Sequence, residues 1–309
     1  MTAVTTIVPI FAVIFLGWVA RRKGMAPQAF LGPANQLVYY LAIPAMIFRA
    51  IAKSSFGTQF EPRAMGITLA CVGAGFALAW AASAISGMAR HRRGTFVQCG
   101  FHGNLGYIGL AVAFYFLGQA GLVRASIISG FVMILQNFLA VVALQGAAGQ
   151  PGSALPFRQI ALRLAGNPVI VSALAGILFS LMEVTLPVVV DRSLSILSGL
   201  ALPMALLLIG ASLSFDLVRD NASDVLAVCV IKLLVMPGLG LLAFWVIGLD
   251  PAHGLPGLIL LASPVATLTY VMAGEMGGDQ DLAVAAISVS TLLSALTLSV
   301  WMQAGVYFL

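Results

Sequence analysis

The sequence predicts an all-α polytopic membrane protein, and its composition and its apolar pattern both support this prediction. Of the 309 residues, 61% are hydrophobic and 8% are charged. An average soluble domain carries about 25% charged residues, so both a soluble enzyme and a disordered chain are excluded. The apolar residues form long continuous runs, which are typical of membrane helices and not of the alternating strands of outer-membrane barrels.

Charge runs and clusters of glycine and proline divide the chain into ten segments long enough to cross a bilayer. We predict ten spans, near residues 4–20, 35–53, 63–88, 95–117, 122–146, 165–182, 191–213, 224–248, 254–275 and 281–306. The first apolar run precedes its basic cluster, whereas in a signal peptide the basic residues come first, so we predict a span there and not a leader. The polar-leaning stretch 147–163 is the predicted cytoplasmic linker between two five-span parts, 1–146 and 164–309.

The distribution of basic residues predicts the orientation of these spans. If the N-terminus is outside, the dense clusters at 21–23 and 90–93 both face the cytoplasm, as the positive-inside rule requires. With ten spans, both termini then lie outside a cell inner (plasma) membrane. The net charge of +5 therefore reports orientation, and nucleic-acid binding is not expected.

A comparison of the chain with itself indicates an internal repeat. A shift of 159 residues superposes Pro9 on Pro168, Gly17 on Gly176 and Pro44 on Pro203. Because each part has five spans, the second copy would enter the membrane upside down. Inverted repeats of this kind are typical of secondary transporters that bind their substrate near the membrane midplane. The prolines in spans 2 and 7 either bend their helices around such a site or are ordinary packing kinks.

Spans 4 and 9 each contain a predicted helix break. Span 4 holds Gly103, Asn104, Gly106 and Gly109, and span 9 holds Ser263 followed by Pro264. Asn and Ser are favoured N-cap residues, and Pro is favoured at the first helical position, so a second half-helix is predicted to begin near each midplane. The alternative is a pair of ordinary kinks, since Gly and Pro are common in membrane helices.

Two half-helix N-termini that meet at one point would attract an anion, most simply a carboxylate. We expect backbone N–H groups after each break to hold it, with hydroxyl contacts from Thr267 and Thr269. His102 is either a proton carrier or a neutral histidine bonded to a neighbouring helix. Gln136 and Asn137 either join helices by hydrogen bonds or face the cavity.

The charged residues of the second part leave further alternatives open. Lys232 lies well inside span 8 and could pair with a carboxylate, contact the substrate or snorkel to the cytoplasmic surface. Glu275 ends span 9, either as part of a coupling-ion site or as a solvated helix end. Two acid pairs, Asp216 with Asp220 and Asp279 with Asp281, read as solvated loop acids more than as a metal site.

No sequence motif predicts an enzyme, a metal centre or a cofactor. The chain has no GxSxG, HExxH or nucleotide-binding GKS/T pattern. Its three cysteines lie far apart in apolar runs, so neither a metal site nor a disulfide framework is expected.

Several stretches, in order along nearly the whole chain, resemble the auxin efflux carrier family, which includes bacterial carriers and the plant PIN-type proteins. The matching stretches are Pro9 with Leu16-Gly17, residues 35–40 through Pro44, residues 103–109, Asn167-Pro168, Ala201-Leu202-Pro203 to Gly210, Lys232 with Pro237, and Ser263-Pro264 through Ala273 and Glu275. In this match Asn104 takes the place of the family's crossover asparagine. Ala111 departs from the family, which often has a proline there.

The resemblance implies ten helices in two inverted five-helix repeats, similar to the sodium/proton antiporter and bile-acid symporter folds. Spans 4 and 9 would cross at their breaks within a transport domain of spans 3–5 and 8–10. Spans 1, 2, 6 and 7 would form a scaffold and the surface of a homodimer, and the transport domain would move against them by an elevator mechanism. Family substrates are organic anions: auxins in plants, and small dicarboxylates such as malonate or malate in bacteria.

These observations predict a secondary carrier for a small carboxylate in a lipid bilayer. The alternative is a cation/proton antiporter or a sodium-coupled symporter of similar fold. A cation antiporter needs buried acids at the crossing, and spans 4 and 9 offer none at their breaks.

Overall fold

The computed structural model describes residues 3–148 and 166–309, and the regular elements of these residues are all helical. The only strand-like pairing within these ranges is an isolated bridge between Gly103 and Val265. The predicted linker at 147–163 lies almost entirely outside the described residues. The all-helical class predicted from the sequence is confirmed over the described ranges.

The first part of the chain contains seven α-helices within the described residues. They are α1 (Ala3–Arg22), α2 (Gln28–Leu37), α3 (Ile43–Ala52), α4 (Phe56–Gln59), α5 (Pro62–Ile85), α6 (Arg90–Phe101) and α7 (Leu110–Ala148). A π-helical segment, Val38–Ala42, joins α2 to α3, and another, Leu105–Gly109, leads into α7. Gly118 interrupts α7 at a φ of +70°, which glycine adopts without steric cost. This interruption lies where the sequence predicts the boundary between spans 4 and 5.

The second part also contains seven α-helices within the described residues. They are α8 (Pro168–Leu181), α9 (Val188–Ser212), α10 (Ala222–Cys229), α11 (Met236–Val246), α12 (Pro251–Ala262), α13 (Leu268–Glu275) and α14 (Gln280–Phe308). A π-helical segment, Val230–Val235, joins α10 to α11. Pro237 follows this segment just as Pro44 follows the one before α3. A proline lacks an N–H and clashes with the carbonyl one turn earlier, and a widened turn accommodates it.

Six helical stretches are long and apolar enough to cross a bilayer. They are Ala3–Arg22, Pro62–Ile85, Leu105–Gly146, Val188–Ser212, Arg219–Val246 and Gln280–Phe308. Two further apolar helices, Pro168–Leu181 and Pro251–Ala262, are shorter. The chain is therefore a multi-pass, all-helical membrane protein.

The helices can be grouped into two sets that follow the predicted scaffold and transport domains. The flanking set comprises α1–α4, α8 and α9, in which α1 packs along α9 and α3 packs along α8. The crossing set comprises α5–α7 and α10–α14, in which α12 packs against both α7 and α14. The two sets touch where α1 meets α14 and where α7 meets α8.

Glycines allow the flanking helices to approach each other very closely. A Cβ atom on Gly17 of α1 would lie 2.1 Å from the carbonyl oxygen of Leu207 on α9. A Cβ atom on Gly210 of α9 would lie 1.8 Å from the carbonyl oxygen of Ile14. Small residues at such contacts are the usual way in which membrane helices pack backbone to backbone.

Ion pairs connect helices within each set. In the flanking set, Asp191 of α9 accepts hydrogen bonds from Arg49 at 2.7 Å and from Lys53 at 2.9 Å. In the crossing set, Arg92 of α6 lies 2.7 Å from Asp224 and 3.6 Å from Asp279. The interpretation of Asp279 as a solvated loop acid is therefore wrong, because its side chain is 13% exposed and it also caps α14.

Candidate functional site

The two predicted helix breaks are present and lie against each other. Helix α6 ends at Phe101, and α12 ends at Ala262. The residues that follow each end are extended and pair in opposite directions: the Asn104 N–H donates to the Pro264 carbonyl at 2.7 Å, and the Ala266 N–H donates to the His102 carbonyl at 2.9 Å. Four half-helix ends therefore meet at one place in the protein, which we call the crossing (residues 102–104 and 263–267).

Asn104 begins the helical segment after the first break, as predicted. Its Oδ1 accepts a hydrogen bond from the Tyr107 N–H at 3.3 Å, the usual geometry of an N-cap. Its backbone carbonyl accepts from the Gly109 N–H at 3.0 Å. The capping role predicted for Asn104 is therefore confirmed.

The corresponding prediction for Ser263 and Pro264 is wrong. Helix α13 begins at Leu268, and Thr267 occupies its N-cap position without a side-chain hydrogen bond to the first turn. The Ser263 hydroxyl instead donates backwards, to the Leu260 carbonyl at 2.7 Å, and so belongs to the end of α12. The first turn of α13 is thus left without a side-chain cap. The Thr269 N–H donates to the Ala266 carbonyl at 3.1 Å, and the other N–H groups of this turn are the ones that a ligand could use.

The two half-helices that end at the crossing would otherwise present their negative ends there. The Lys232 ammonium donates to the Leu261 carbonyl near the end of α12 at 2.7 Å, and the Gln136 Nε2 donates to the Phe101 carbonyl at the end of α6 at 3.2 Å. Lys232 is fully buried, so the snorkelling interpretation is wrong. The interhelical hydrogen bond predicted as one alternative for Gln136 is confirmed.

Small residues permit the close packing at the crossing. A Cβ atom on Gly103 would lie 2.6 Å from the Ser263 hydroxyl oxygen and 3.2 Å from Cε of Lys232. A Cβ atom on Gly109 would lie 2.9 Å from a methyl carbon of Leu260. A Cβ atom on Gly106 would meet only Met133, at an ordinary 3.6 Å.

Two polar atoms at the crossing have no hydrogen-bond partner among the described residues. They are the Nδ2 of Asn104, a side chain 6% exposed, and the Nδ1 of His102, which is 4% exposed. Buried polar groups are normally paired, because an unpaired one costs about 1–3 kcal/mol. An unpaired amide donor beside helix N-termini is what a site for an anionic ligand provides.

The other predicted residues occupy a range of positions. Thr269 is buried and its hydroxyl donates to the Ala266 carbonyl at 2.8 Å, whereas Thr267 is half-buried. Asn137 is half-buried beside Gln136. Glu275 is exposed at the far end of α13, about 10 Å along the helix from its first turn. The structure therefore does not bring Glu275 to the crossing.

The two prolines of the predicted repeat lie in the flanking set. Pro44 occupies the first turn of α3, and Pro203 lies inside α9. Their proposed effect on the site stays a prediction.

The start of α12 is fixed outside the membrane-spanning segments. Asp250 caps this helix and accepts a hydrogen bond from Nδ1 of His253 at 2.7 Å. This hydrogen bond holds the pKa of Asp250 below its usual range. The cap gives α12 a defined beginning 12 residues before the crossing.

One pair near the crossing was not predicted. The hydroxyl of Tyr107, three residues after Asn104, donates to Oδ1 of Asn35 on α2. This bond joins the crossing set to the flanking set. The sequence gives no signal that pairs these two residues, which are 72 positions apart.

The crossing of two broken helices inside a multi-pass helical protein is the architecture of a membrane transporter. The chain belongs to the auxin efflux carrier family: the family described as "Membrane transport protein" matches residues 2–302. The resemblance seen in the sequence is confirmed by this match.

Two relatives cover almost the full length of the chain. A protein of Rhizobium meliloti named "Putative malonate transporter" is 28% identical over 306 residues, which cover 95% of this chain and 92% of the relative. An "uncharacterized transporter" of Methanothermobacter thermautotrophicus is 24% identical over 307 residues, covering 97% and 98%. The family and these relatives are transporters, not enzymes.

Proposed function

We propose that the protein is a secondary transporter of a small organic anion, with malonate the first substrate to test. The single observation that carries the proposal is the Asn104 amide: its oxygen is used as a helix cap, while its Nδ2 donors are buried without a partner. A carboxylate bound at the crossing would accept from this amide and from the uncapped first turn of α13. Malonate is chosen because the name of the Rhizobium meliloti relative contains it.

The charges around the crossing support an anion over a cation. Lys232 is the one charged residue in the buried core of the described ranges, which contains no Asp or Glu. A sodium or proton antiporter site would need a buried carboxylate to bind its cation. The cation-antiporter alternative therefore has less support than the anion carrier.

Two contacts in the flanking set support an inverted repeat of five spans each. The 159-residue shift places Gly17 on Gly176 and Phe48 on Leu207. Gly17 approaches the Leu207 carbonyl, and a Cβ on Gly176 would lie 3.1 Å from the Phe48 carbonyl. Each copy thus packs its glycine on the partner residue of the other copy, as two repeats related by a twofold axis would.

An elevator motion is the proposed mechanism, with the crossing set moving against the flanking set. The ion pairs of Arg49 and Arg92 support this division, since each holds together helices of its own set. We further propose the orientation with both termini outside an inner (plasma) membrane, and a homodimer formed through the flanking set.

The test is uptake of radiolabelled malonate into proteoliposomes containing the purified protein. Asn104→Asp keeps an oxygen for the cap but replaces the amide donors with a carboxylate oxygen that repels an anion. We expect at least about a tenfold loss of uptake, because a hydrogen bond to a charged group is lost and a like charge is added. Asn104→Ser, which can also cap, should lose uptake while the thermal stability in detergent is kept.

The control is Gln28→Ala, which removes an exposed amide at the start of α2 and should leave uptake unchanged. Saturable malonate uptake that Asn104→Asp does not reduce would contradict a substrate site at the crossing. An unaltered protein that takes up no small carboxylate would contradict the proposed function itself.

A further inference from the structure

The Tyr107–Asn35 pair lies at the boundary between the two sets of helices. Tyr107 follows Asn104 by one turn, and its main-chain N–H is held by the Asn104 side chain. Its ring is 7% exposed and carries the hydroxyl to Asn35 on α2. The hydroxyl is therefore fixed in place from both sides of the boundary.

The chemistry of this boundary consists of neutral hydrogen-bond donors. The Asn35 Oδ1 accepts from Tyr107, which leaves the two Nδ2 donors of Asn35 for another acceptor, and this side chain is exposed and not packed. Tyr39 lies one turn further along the same helical stretch and is half-buried. We call Asn35, Tyr39 and Tyr107 the boundary cluster. A cluster of amide and phenol donors without an acid suits a carboxylate.

The position of the cluster matters because a carried substrate must lie between a moving and a fixed set of helices. Asn104 faces such a substrate from the crossing set, and Asn35 belongs to the flanking set. Tyr107 connects the two: its main-chain N–H donates to the Asn104 side chain, and its hydroxyl donates to the Asn35 side chain. A short molecule held by Asn104 at one end would therefore meet the boundary cluster at its other end.

We propose that the boundary cluster binds the second carboxylate of the substrate, so that Tyr107 and Asn35 select dicarboxylates over monocarboxylates. This inference rests on the proposed function, since it assumes that a first carboxylate binds at Asn104. When a dicarboxylate binds, the Tyr107 hydroxyl and the Asn35 amide turn their donors to its distal carboxylate. A monocarboxylate leaves the Tyr107–Asn35 bond as it is.

The experiment compares malonate with malonamate, in which one carboxylate is replaced by a neutral amide. Binding of each to the purified full-length protein in detergent is measured by isothermal titration calorimetry. Tyr107→Phe removes only the hydroxyl and should weaken malonate binding at least about tenfold while malonamate binding changes less than about threefold. Asn35→Asp, which adds a negative charge beside the distal carboxylate, should weaken malonate binding more than Tyr107→Phe does, again sparing malonamate.

The matched control is Tyr115→Phe, the same change on an exposed tyrosine of α7, which should alter neither affinity. Equal weakening of both ligands by Tyr107→Phe, or no weakening of either, would overturn the assignment, because a merely structural tyrosine would not discriminate between them. An unaltered protein that binds neither ligand would overturn the proposed function as well. An unaltered protein that binds both, with Tyr107→Phe unselective, would overturn only the boundary cluster.

Discussion

Adding one methyl group at the crossing should impair transport in Gly103→Ala and spare it in Gly106→Ala. In Gly103→Ala the new Cβ would lie 2.6 Å from the Ser263 oxygen, about 0.8 Å inside ordinary contact, and 3.2 Å from both a Leu105 methyl and Cε of Lys232. These neighbours are buried and Ser263 is hydrogen-bonded, so the two extended segments of the crossing, 102–104 and 263–267, must move apart. Overpacking of this kind costs about 1–3 kcal/mol.

If this cost falls on the substrate-bound state, malonate affinity drops about 5- to 140-fold. Gly106→Ala is the matched control, because its Cβ meets only the flexible end of Met133 at 3.6 Å, and we expect less than about a threefold change. Both variants are compared with the unaltered protein by calorimetric binding of malonate and by uptake into proteoliposomes at equal protein content. The steric reasoning is refuted if Gly106→Ala loses as much as Gly103→Ala, or if Gly103→Ala keeps full affinity.

Two further predictions concern a close contact between the flanking helices and the ammonium of Lys232. Gly210→Ala should lower the thermal unfolding temperature in detergent, because its Cβ meets a backbone carbonyl of α1 that cannot turn away, whereas Gly199→Ala on the same helix meets nothing within 4 Å and should raise stability by up to about 1 kcal/mol. A shift of the same sign in both would contradict this account. Lys232→Met keeps an unbranched side chain of similar length but leaves the Leu261 carbonyl without its donor, so calorimetry should record at least about tenfold weaker malonate binding; unchanged affinity would exclude a role for the ammonium.

The sequence was sufficient to predict the features that depend on local chemistry. Asn104 lies among glycines in an apolar run, and its side chain caps the helical segment that follows it within three residues. The interruption of α7 at Gly118 likewise lies at the boundary that the sequence predicts between spans 4 and 5. Both follow from conformational preferences of single residues, which act over three or four positions.

The features that the sequence could not predict depend on partners far along the chain. Ser263 and Pro264 have the local signature of a helix start, yet the Pro264 carbonyl accepts from Asn104, and this pairing keeps the segment extended until Leu268. Lys232 stays buried because the break after α12 frees a carbonyl for it 29 residues away. A local sequence pattern cannot predict these contacts, because the partners come together only when the chain has folded.

The chemistry of the crossing is set by a few side chains and not by the backbone arrangement. Two helices that break and cross in opposite directions bring two positive and two negative ends together, so the bare backbone favours neither anions nor cations. Here Lys232 and Gln136 cover the negative ends, while the first turn of α13 has no side-chain cap and Asn104 keeps a free donor. The same crossing with acids over the positive ends would bind a cation. The proposed selectivity for an anion would therefore rest on Lys232, Gln136 and Asn104, and we expect substitution at these positions to change which ion is bound.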